Sequence, residues 1–171
     1  MKKTNPISCK DIKRIASNLR KQFNISENSY FPIYEVICKL ENKGLITIQI
    51  MDNNDSLFDE NVPAFYNSYD NFIYIKESVL EEYENNEYRS NFTLAHEFFH
   101  FIQHKVLSFN FEEVDTCVAY CDPEWQANEF AGQLLIPDKY IDLEINELID
   151  KFHVSEYCAL TRKLKYKKRQ K

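Results

Sequence analysis

Apolar residues recur at helical spacing along most of the chain and alternate with polar residues in a few short segments. Ile12, Ile15 and Leu19 lie three and four positions apart, which is the spacing of one face of an amphipathic helix. Residues 45–51 alternate and are rich in β-branched side chains, which predicts a strand. The pattern predicts helices over residues 8–23, 32–42, 90–105, 123–135, 138–151 and 156–167, and strands over 45–51, 64–66 and 72–76. Loops or linkers are predicted over residues 52–61, 77–88 and 106–121. The fold class is therefore α+β, a helical body with a small antiparallel or mixed sheet.

The most specific motif is the pattern His-Glu-x-x-His at residues 96–100, inside the predicted helix over 90–105. Residues four apart share one helix face, so His96 and His100 can bind one metal ion as neutral imidazoles. Glu97 is offset in angle and can contact a metal-bound water. The residues on either side of the motif are apolar, which indicates a buried helix rather than one whose polar residues face solvent. Polar side chains on a buried helix need partners, and a metal ion would provide one. The motif predicts a catalytic zinc site with Glu97 as the general base.

A third ligand is expected from a second helix, because a catalytic zinc ion usually has three protein ligands. Asp122 is a good N-cap and Pro123 suits the first helical position. Glu124 then lies in the first turn, and Asn128 on the same face can orient a ligand histidine. Glu129 is the competing carboxylate, although it points about 100° away from Asn128. Glu124 is the preferred ligand; a first-turn carboxylate that only complements the helix dipole is the interpretation without metal.

His104 follows His100 by four residues. His104 lies eight residues after His96, and over that distance the helix face rotates by about 80°. We therefore expect His104 to have a structural role, or to contact a ligand histidine on its side away from the metal. The oxyanion of the transition state needs a second donor besides zinc. The sequence leaves four candidates open for this donor: Tyr66, Tyr120, Tyr140 and His153.

Two blocks of the chain resemble those of the ImmA/IrrE metallopeptidases. Residues 89–104 match the pattern R-x-x-F-T-x-A-H-E-x-x-H-x-x-x-H, and residues 124–137 match E-x-x-A-N-x-F-A followed by L-L-x-P. The resemblance covers about residues 30–160. That family commonly has Gly in place of Phe99 and Ala in place of Gly132, and Phe99 is expected to narrow the cleft.

The resemblance implies a zincin-like metallopeptidase domain. In that family the two histidines and the glutamate of the second block bind zinc, which implies His96, His100 and Glu124, with Glu97 as general base. Typical members cleave a helix-turn-helix repressor encoded beside them on a phage or mobile element, or one that governs a stress response. An edge strand beside the metal helix pairs with extended substrate in such peptidases, and residues 72–76 are expected to form that strand.

Length and composition fit one domain, since the chain has 171 residues and 44% hydrophobic content. We expect an N-terminal helix within residues 1–30, the metallopeptidase domain over 31–160 and a basic tail over 161–171. No apolar stretch of about 18 residues occurs, so no membrane span is expected. The basic N-terminus precedes no apolar segment, which disfavours a signal peptide. The odd count of five cysteines predicts reduced thiols in the cytoplasm.

Charge is distributed unevenly along the chain. Residues 162–171 hold seven basic and no acidic residues, whereas the remainder holds 14 basic and 27 acidic residues. The basic end is expected to be frayed and solvated, with a weak nucleic-acid contact as the alternative. The acidic body disfavours DNA binding as the main role and suits a basic partner such as a DNA-binding repressor.

Two other functions compete with the peptidase. One is a binding regulator that sequesters a DNA-binding partner and carries a structural or vestigial metal site. The other is a DNA-associated regulator that acts through the basic tail. An intact Glu97 beside two metal-binding histidines favours the enzyme.

Overall fold

The computed structural model describes residues 2–59 and 61–169. Within these ranges the chain is α+β, with seven α-helices and five short strands. The strands are β1 (Lys2–Thr4), β2 (Thr47–Met51), β3 (Ala64–Asn67), β4 (Phe72–Lys76) and β5 (Phe111–Glu113). The helices are α1 (Cys9–Gln22), α2 (Ile33–Glu41), α3 (Glu77–Glu84), α4 (Arg89–Phe101), α5 (Pro123–Leu135), α6 (Ile145–Phe152) and α7 (Glu156–Arg169). A π-helical turn over Ile102–Val106 extends α4. No described helix is both long and apolar enough to cross a lipid bilayer.

The strands form two small sheets. In the larger one the order is β2-β4-β3, with β2 parallel and β3 antiparallel to β4. The smaller sheet pairs β1 with β5. The prediction that residues 72–76 form the edge strand beside the metal helix is therefore wrong. Residues 72–76 are the central strand, and β3 is the edge that contacts α4. This order results from the hairpin that joins β3 to β4 and from the long connection between β2 and β3. The alternation of residues within one strand carries no information about which strands lie beside it.

Helices α4 and α5 lie at the centre of the molecule. α4 contacts α2, α3, α5 and β3, and α5 contacts α1, α7 and β1 as well. The rings of Phe99 and Phe130 stack at 4.4 Å between the two helices, and both side chains are fully buried. Phe99 thus fills the core rather than narrowing a cleft, so that expectation is wrong. This large apolar contact fixes the distance between α4 and α5, the two helices that carry the polar motifs.

The C-terminal end of α5 is held by two buried arginines. Arg20 donates from Nε to the carbonyl of Leu134 at 2.9 Å. Arg162 on α7 donates from Nε to the carbonyl of Ile136 and forms an ion pair with Asp138. Such contacts satisfy carbonyls that a helix end leaves without intrahelical partners. They anchor α5 at the end opposite to Glu124.

Gly132 is the α5 residue that faces Arg162. A Cβ at position 132 would lie 3.2 Å from the Arg162 Cδ, which is tighter than ordinary contact. Glycine at this position, where the ImmA/IrrE metallopeptidases commonly have alanine, therefore leaves room for the buried Arg162 side chain. The basic end is not frayed as predicted, because α7 continues to Arg169 and Arg162 is buried. Residues 170 and 171 of the predicted tail lie outside the described residues.

Three other segments differ from the prediction. The acidic stretch expected to be a linker forms α3, because Val79 and Tyr83 share one face and pack on the core. The segment over 106–121 is not wholly irregular, since it contains β5 and a 3-10 turn over Ala119–Cys121. The helix predicted over 138–151 begins later, as α6, because the side chains of Glu144 and Glu147 form a capping box.

Candidate metal centre

Side chains from α4 and α5 converge where the N-terminal half of α5 passes α4. The Nε2 atoms of His96 and His100 are 3.1 Å apart. The Glu124 carboxylate reaches both, with 3.1 Å from Oε2 to the His96 Nε2 and 3.3 Å from Oε1 to the His100 Nε2. Asp122 caps α5 as predicted, accepting a hydrogen bond from the Glu124 N–H, and so starts the helix where Glu124 faces the histidines.

The spacing of these atoms matches a metal ion of zinc size. Bonds of about 2.0–2.1 Å in tetrahedral geometry put neighbouring ligand atoms about 3.3–3.4 Å apart. The three separations of 3.1 to 3.3 Å are close to this value, and the two that involve Glu124 end on different oxygens of its carboxylate. Two imidazole nitrogens and one carboxylate oxygen are also a donor set of catalytic zinc sites, with a fourth position left to water or substrate. The residues present therefore fit the ion.

The other ring nitrogens of both histidines face amide oxygens. His96 Nδ1 lies 3.2 Å from Asn128 Oδ1, and His100 Nδ1 lies 2.9 Å from Gln103 Oε1. An amide oxygen only accepts, so each Nδ1 carries the hydrogen and each Nε2 keeps its lone pair. The lone pairs then point at the shared centre, as metal ligands require. Asn128 thus stands behind His96, in the position expected of an orienting residue.

Among the residues that the structure describes, Glu124 has no lysine or arginine as an ion-pair partner. Its ion pairs are with His96 and His100. Contacts with His100 and His96 hold the pKa of the Glu124 carboxyl well below its usual range. Burial lowers the pKa of His100, but Glu124 and Glu97 outweigh it, so that this pKa lies above its ordinary value. The two carboxylates thus favour the protonated form of the His100 ring.

Glu97 lies beside the three converging atoms without joining them. Its Oε1 is 3.9 Å from the His96 Nε2, and its Oε2 accepts a hydrogen bond from the Tyr66 N–H at 2.9 Å. Burial raises the pKa of the Glu97 carboxyl above its usual range, although His100, His96 and the Tyr66 N–H act in the opposite direction. A carboxyl group with a raised pKa beside the two histidines suits proton transfer.

A cleft of about 800 Å³ opens over the centre. Its lining includes Glu97, His100 and Glu124, with β3 on one side and β5 on the other. The outer edge of β3 runs along this cleft, and the Tyr66 N–H that holds Glu97 belongs to that edge. The arrangement leaves room for an extended chain beside the centre.

The remaining candidates are dispersed. His104 lines the cleft, where its ring stacks on Phe111 at 4.0 Å. Tyr66 also lines it, with its hydroxyl donating to Asn71 Oδ1. Tyr120, Tyr140 and His153 are not among the cleft-lining residues; His153 stacks between two tyrosines on another face.

Glu129, the competing carboxylate, is buried on a different side of α5. It accepts a hydrogen bond from Gln133 and forms ion pairs with Arg169 and Lys165 on α7. The structure brings Glu124, not Glu129, to the two histidines.

Sequence reasoning missed three features around the centre. The Gln103 amide hydrogen-bonds to His100 and to the Gln126 amide, and both glutamines are fully buried. The spacing of Gln103, three residues after His100, is the local signal of this contact. The N–H of Tyr66 and the π turn after α4 leave no signal in the sequence, because both depend on tertiary packing.

Comparison with known proteins gives a family for the chain. A family model described as the IrrE N-terminal-like domain, peptidase family M78, matches residues 48–166, more than two thirds of the chain. No curated protein sequence matches significantly. The matched range contains both helices of the centre and all strands of the larger sheet except the first residue of β2. The chain therefore belongs to the IrrE N-terminal-like family of metallopeptidases, M78.

Proposed function

We propose that the protein is a zinc-dependent endopeptidase that cleaves a helix-turn-helix transcriptional repressor and so relieves repression. The observation that carries the proposal is the convergence of His96, His100 and Glu124 within 3.3 Å, with Glu97 alongside. Membership of a metallopeptidase family supports the reaction class. The ion would be held by the two Nε2 atoms and the Glu124 carboxylate.

The chemistry is divided between the ion and the chain. Zinc, when bound, supplies the Lewis acidity that polarises the scissile carbonyl and lowers the pKa of a water to about 7. Glu97 takes a proton from the attacking water at Oε1 and delivers it to the leaving amine. The Tyr66 N–H holds the other oxygen of this carboxylate, so that Oε1 stays aimed at the centre.

His104 is the residue we assign as second donor to the oxyanion. A continued α-helix would turn position 104 away, but the wider π turn over Ile102–Val106 offsets part of that drift. The stack on Phe111 fixes the plane of its ring in the cleft. Burial, with His100 and the nearby lysines, lowers the pKa of His104 and keeps its ring neutral, with one N–H to donate.

His104→Phe keeps an aromatic ring for the stack but removes the donor. We expect about a 10²–10³-fold loss of kcat with zinc retained. Tyr66→Phe is the matched control, because the Tyr66 hydroxyl already donates to Asn71 and should matter little. Equal, small effects of both substitutions would exclude His104 from this role.

The substrate class rests on charge and on the open strand edge. Outside residues 162–171 the chain has 14 basic and 27 acidic residues, which favours a basic partner such as a DNA-binding domain. An extended segment of that partner would pair with the outer edge of β3, beside the Tyr66 N–H that already donates to Glu97. Binding that does not weaken with added salt would contradict the electrostatic part.

The test is cleavage of a helix-turn-helix repressor encoded beside this protein, by the wild type and by Glu97→Gln, both loaded with zinc. The wild type should cut the repressor, and Glu97→Gln should keep the zinc while cutting about 10²–10⁴-fold more slowly. Release of the repressor from DNA by both proteins without any cut would favour the sequestering regulator instead.

A further inference from the structure

Gln103 and Gln126 are two fully buried amides that lie between His100 and the N-terminal strand. Gln103 Oε1 is 2.9 Å from His100 Nδ1, and Gln103 Nε2 donates to Gln126 Oε1 at 2.7 Å. Gln126 Nε2 donates to the carbonyls of Asn5 and Tyr120, both at 2.9 Å. A continuous chain of hydrogen bonds thus runs from the ligand imidazole to the backbone that follows β1.

The direction of every bond in this chain is determined at its far end. The backbone carbonyls of Asn5 and Tyr120 can only accept, so the Gln126 nitrogen must face them and its oxygen must face Gln103. Gln103 therefore presents nitrogen to Gln126 and oxygen to His100. Reversal of either amide would set donor against donor or oxygen against oxygen in a buried site, where an unmade hydrogen bond is expensive.

We propose that Gln103 and Gln126 are positioning residues that fix the tautomer of His100 and couple metal binding to docking of the N-terminal strand. The inference rests on the zinc centre proposed above. Because the Gln103 oxygen accepts a hydrogen bond from His100 Nδ1, the lone pair of the His100 ring stays on Nε2. This is the atom that lies 3.1 Å from His96 Nε2. A ligand nitrogen held in one tautomer loses less freedom when it binds metal.

The coupling follows from where the chain of bonds ends. Asn5 comes directly after β1, and its side chain accepts a hydrogen bond from the Asn110 N–H, just before β5. β1 and β5 pair with each other, and Lys2 and Phe111 line the cleft. Metal binding to His100 should therefore favour the docked position of the β1–β5 sheet beside the cleft. By reciprocity, docking of this sheet should raise the affinity for metal by the same factor.

The first experiment breaks the chain of bonds next to the ligand. Gln103→Met removes both polar ends at similar volume, whereas Gln103→Glu keeps an oxygen that accepts from the His100 Nδ1–H. The zinc dissociation constant is measured by chelator competition. The His100 tautomer is read from imidazole ¹⁵N shifts of the zinc-free protein at a pH above the raised pKa of His100, where the ring is neutral. We expect Gln103→Met to bind zinc about 10–100-fold more weakly with mixed tautomers, and Gln103→Glu to restore both.

Wild-type affinity and a single Nδ1–H tautomer in Gln103→Met would overturn the assignment. Weak zinc binding with an unchanged tautomer would also overturn it, because a packing defect alone would have that effect. A wild type that binds no zinc would refute the proposed function, whereas the tautomer of the zinc-free protein would still test the amides.

The second experiment breaks the chain of bonds at its far end and tests the coupling. Zinc should slow hydrogen exchange of the β1 and β5 amides in the wild type, and Gln126→Met should abolish that slowing. Slowing of equal size in Gln126→Met would overturn the coupling. If Gln126→Met fails to fold, Gln103→Met tests the same coupling, because it interrupts the chain of bonds at its other end.

Discussion

Glu124 and Glu129 lie on one helix, five residues and about 140° of rotation apart, and they are neutralised in different ways. Glu129 has a side chain 2% exposed, and the chain supplies its cations, Arg169 and Lys165, from α7. Glu124 has a side chain 64% exposed and faces two imidazoles that offer lone pairs. The fold thus provides positive charge where a carboxylate is structural. At the cleft we infer that the charge comes from outside, as a metal ion.

The largest expected effect is zinc-dependent stabilisation of the wild type, absent from Glu124→Gln. Free zinc at about 1,000 times its Kd should add about 4 kcal/mol to the free energy of unfolding. Without the carboxylate, zinc should add far less, because one of three ligands is lost. Thermal unfolding with zinc and with chelator measures the difference. Equal stabilisation of both proteins would remove Glu124 from the ligand set.

Glu129→Gln should have the converse effect. The change places an amide among the donors of Gln133, Arg169 and Lys165, and should cost about 1–3 kcal/mol of stability. Zinc affinity should stay within about twofold of wild type, since Glu129 does not contact the histidines. Denaturant unfolding and chelator competition on the same protein separate the two quantities. A large loss of zinc affinity would mean that the two carboxylates are not independent.

The pH dependence of stability tests the pairing of Glu124 with His100 without any substitution. The pKa of His100 is raised above 6.5, so its contact with Glu124 stabilises the metal-free protein below pH 6.5 and is lost as pH rises through the raised value. The pKa of Glu124 is lowered, so its contribution is present above its ordinary 4.5 and is lost only in stronger acid.

Zinc competes with the proton on His100. The added stability from zinc should therefore grow as pH rises, and zinc affinity should fall roughly tenfold per unit below the pKa of His100. Calorimetric or competition titrations between pH 5.5 and 8.5 measure this slope. A flat affinity across that range would mean that no imidazole binds the ion.

The smallest expected effect concerns Asn128. Asn128→Ala removes the oxygen 3.2 Å from His96 Nδ1 and should weaken zinc binding about tenfold. Asn128→Asp keeps an acceptor and should restore most of the affinity. An alanine variant with unchanged affinity would show that His96 needs no partner to hold its orientation.

Much of this site can be predicted from local spacing. Residues four apart on a helix share a face, which brings His96 with His100 and Glu124 with Asn128, and an N-cap signal at Asp122 sets the phase of α5. The structure brings these two faces together at 3.1–3.3 Å. Their roles as ligands and as orienting residue stay predictions.

Other features depend on which elements become neighbours. The edge position of β3, the burial of Phe99 against Phe130 and the Gln103–Gln126 contact all join residues distant in sequence. Periodicity within one element cannot specify its neighbours. The π turn arises from the same cause, since nothing in residues 102–106 departs from ordinary helix composition.

The most direct measurement is the zinc content of the purified protein by elemental mass spectrometry, with Glu124→Gln and Glu129→Gln beside the wild type. We expect about one zinc per chain in the wild type and in Glu129→Gln, and none in Glu124→Gln. Zinc absent from the wild type after reconstitution, or retained in Glu124→Gln and lost in Glu129→Gln, would contradict the three-ligand centre.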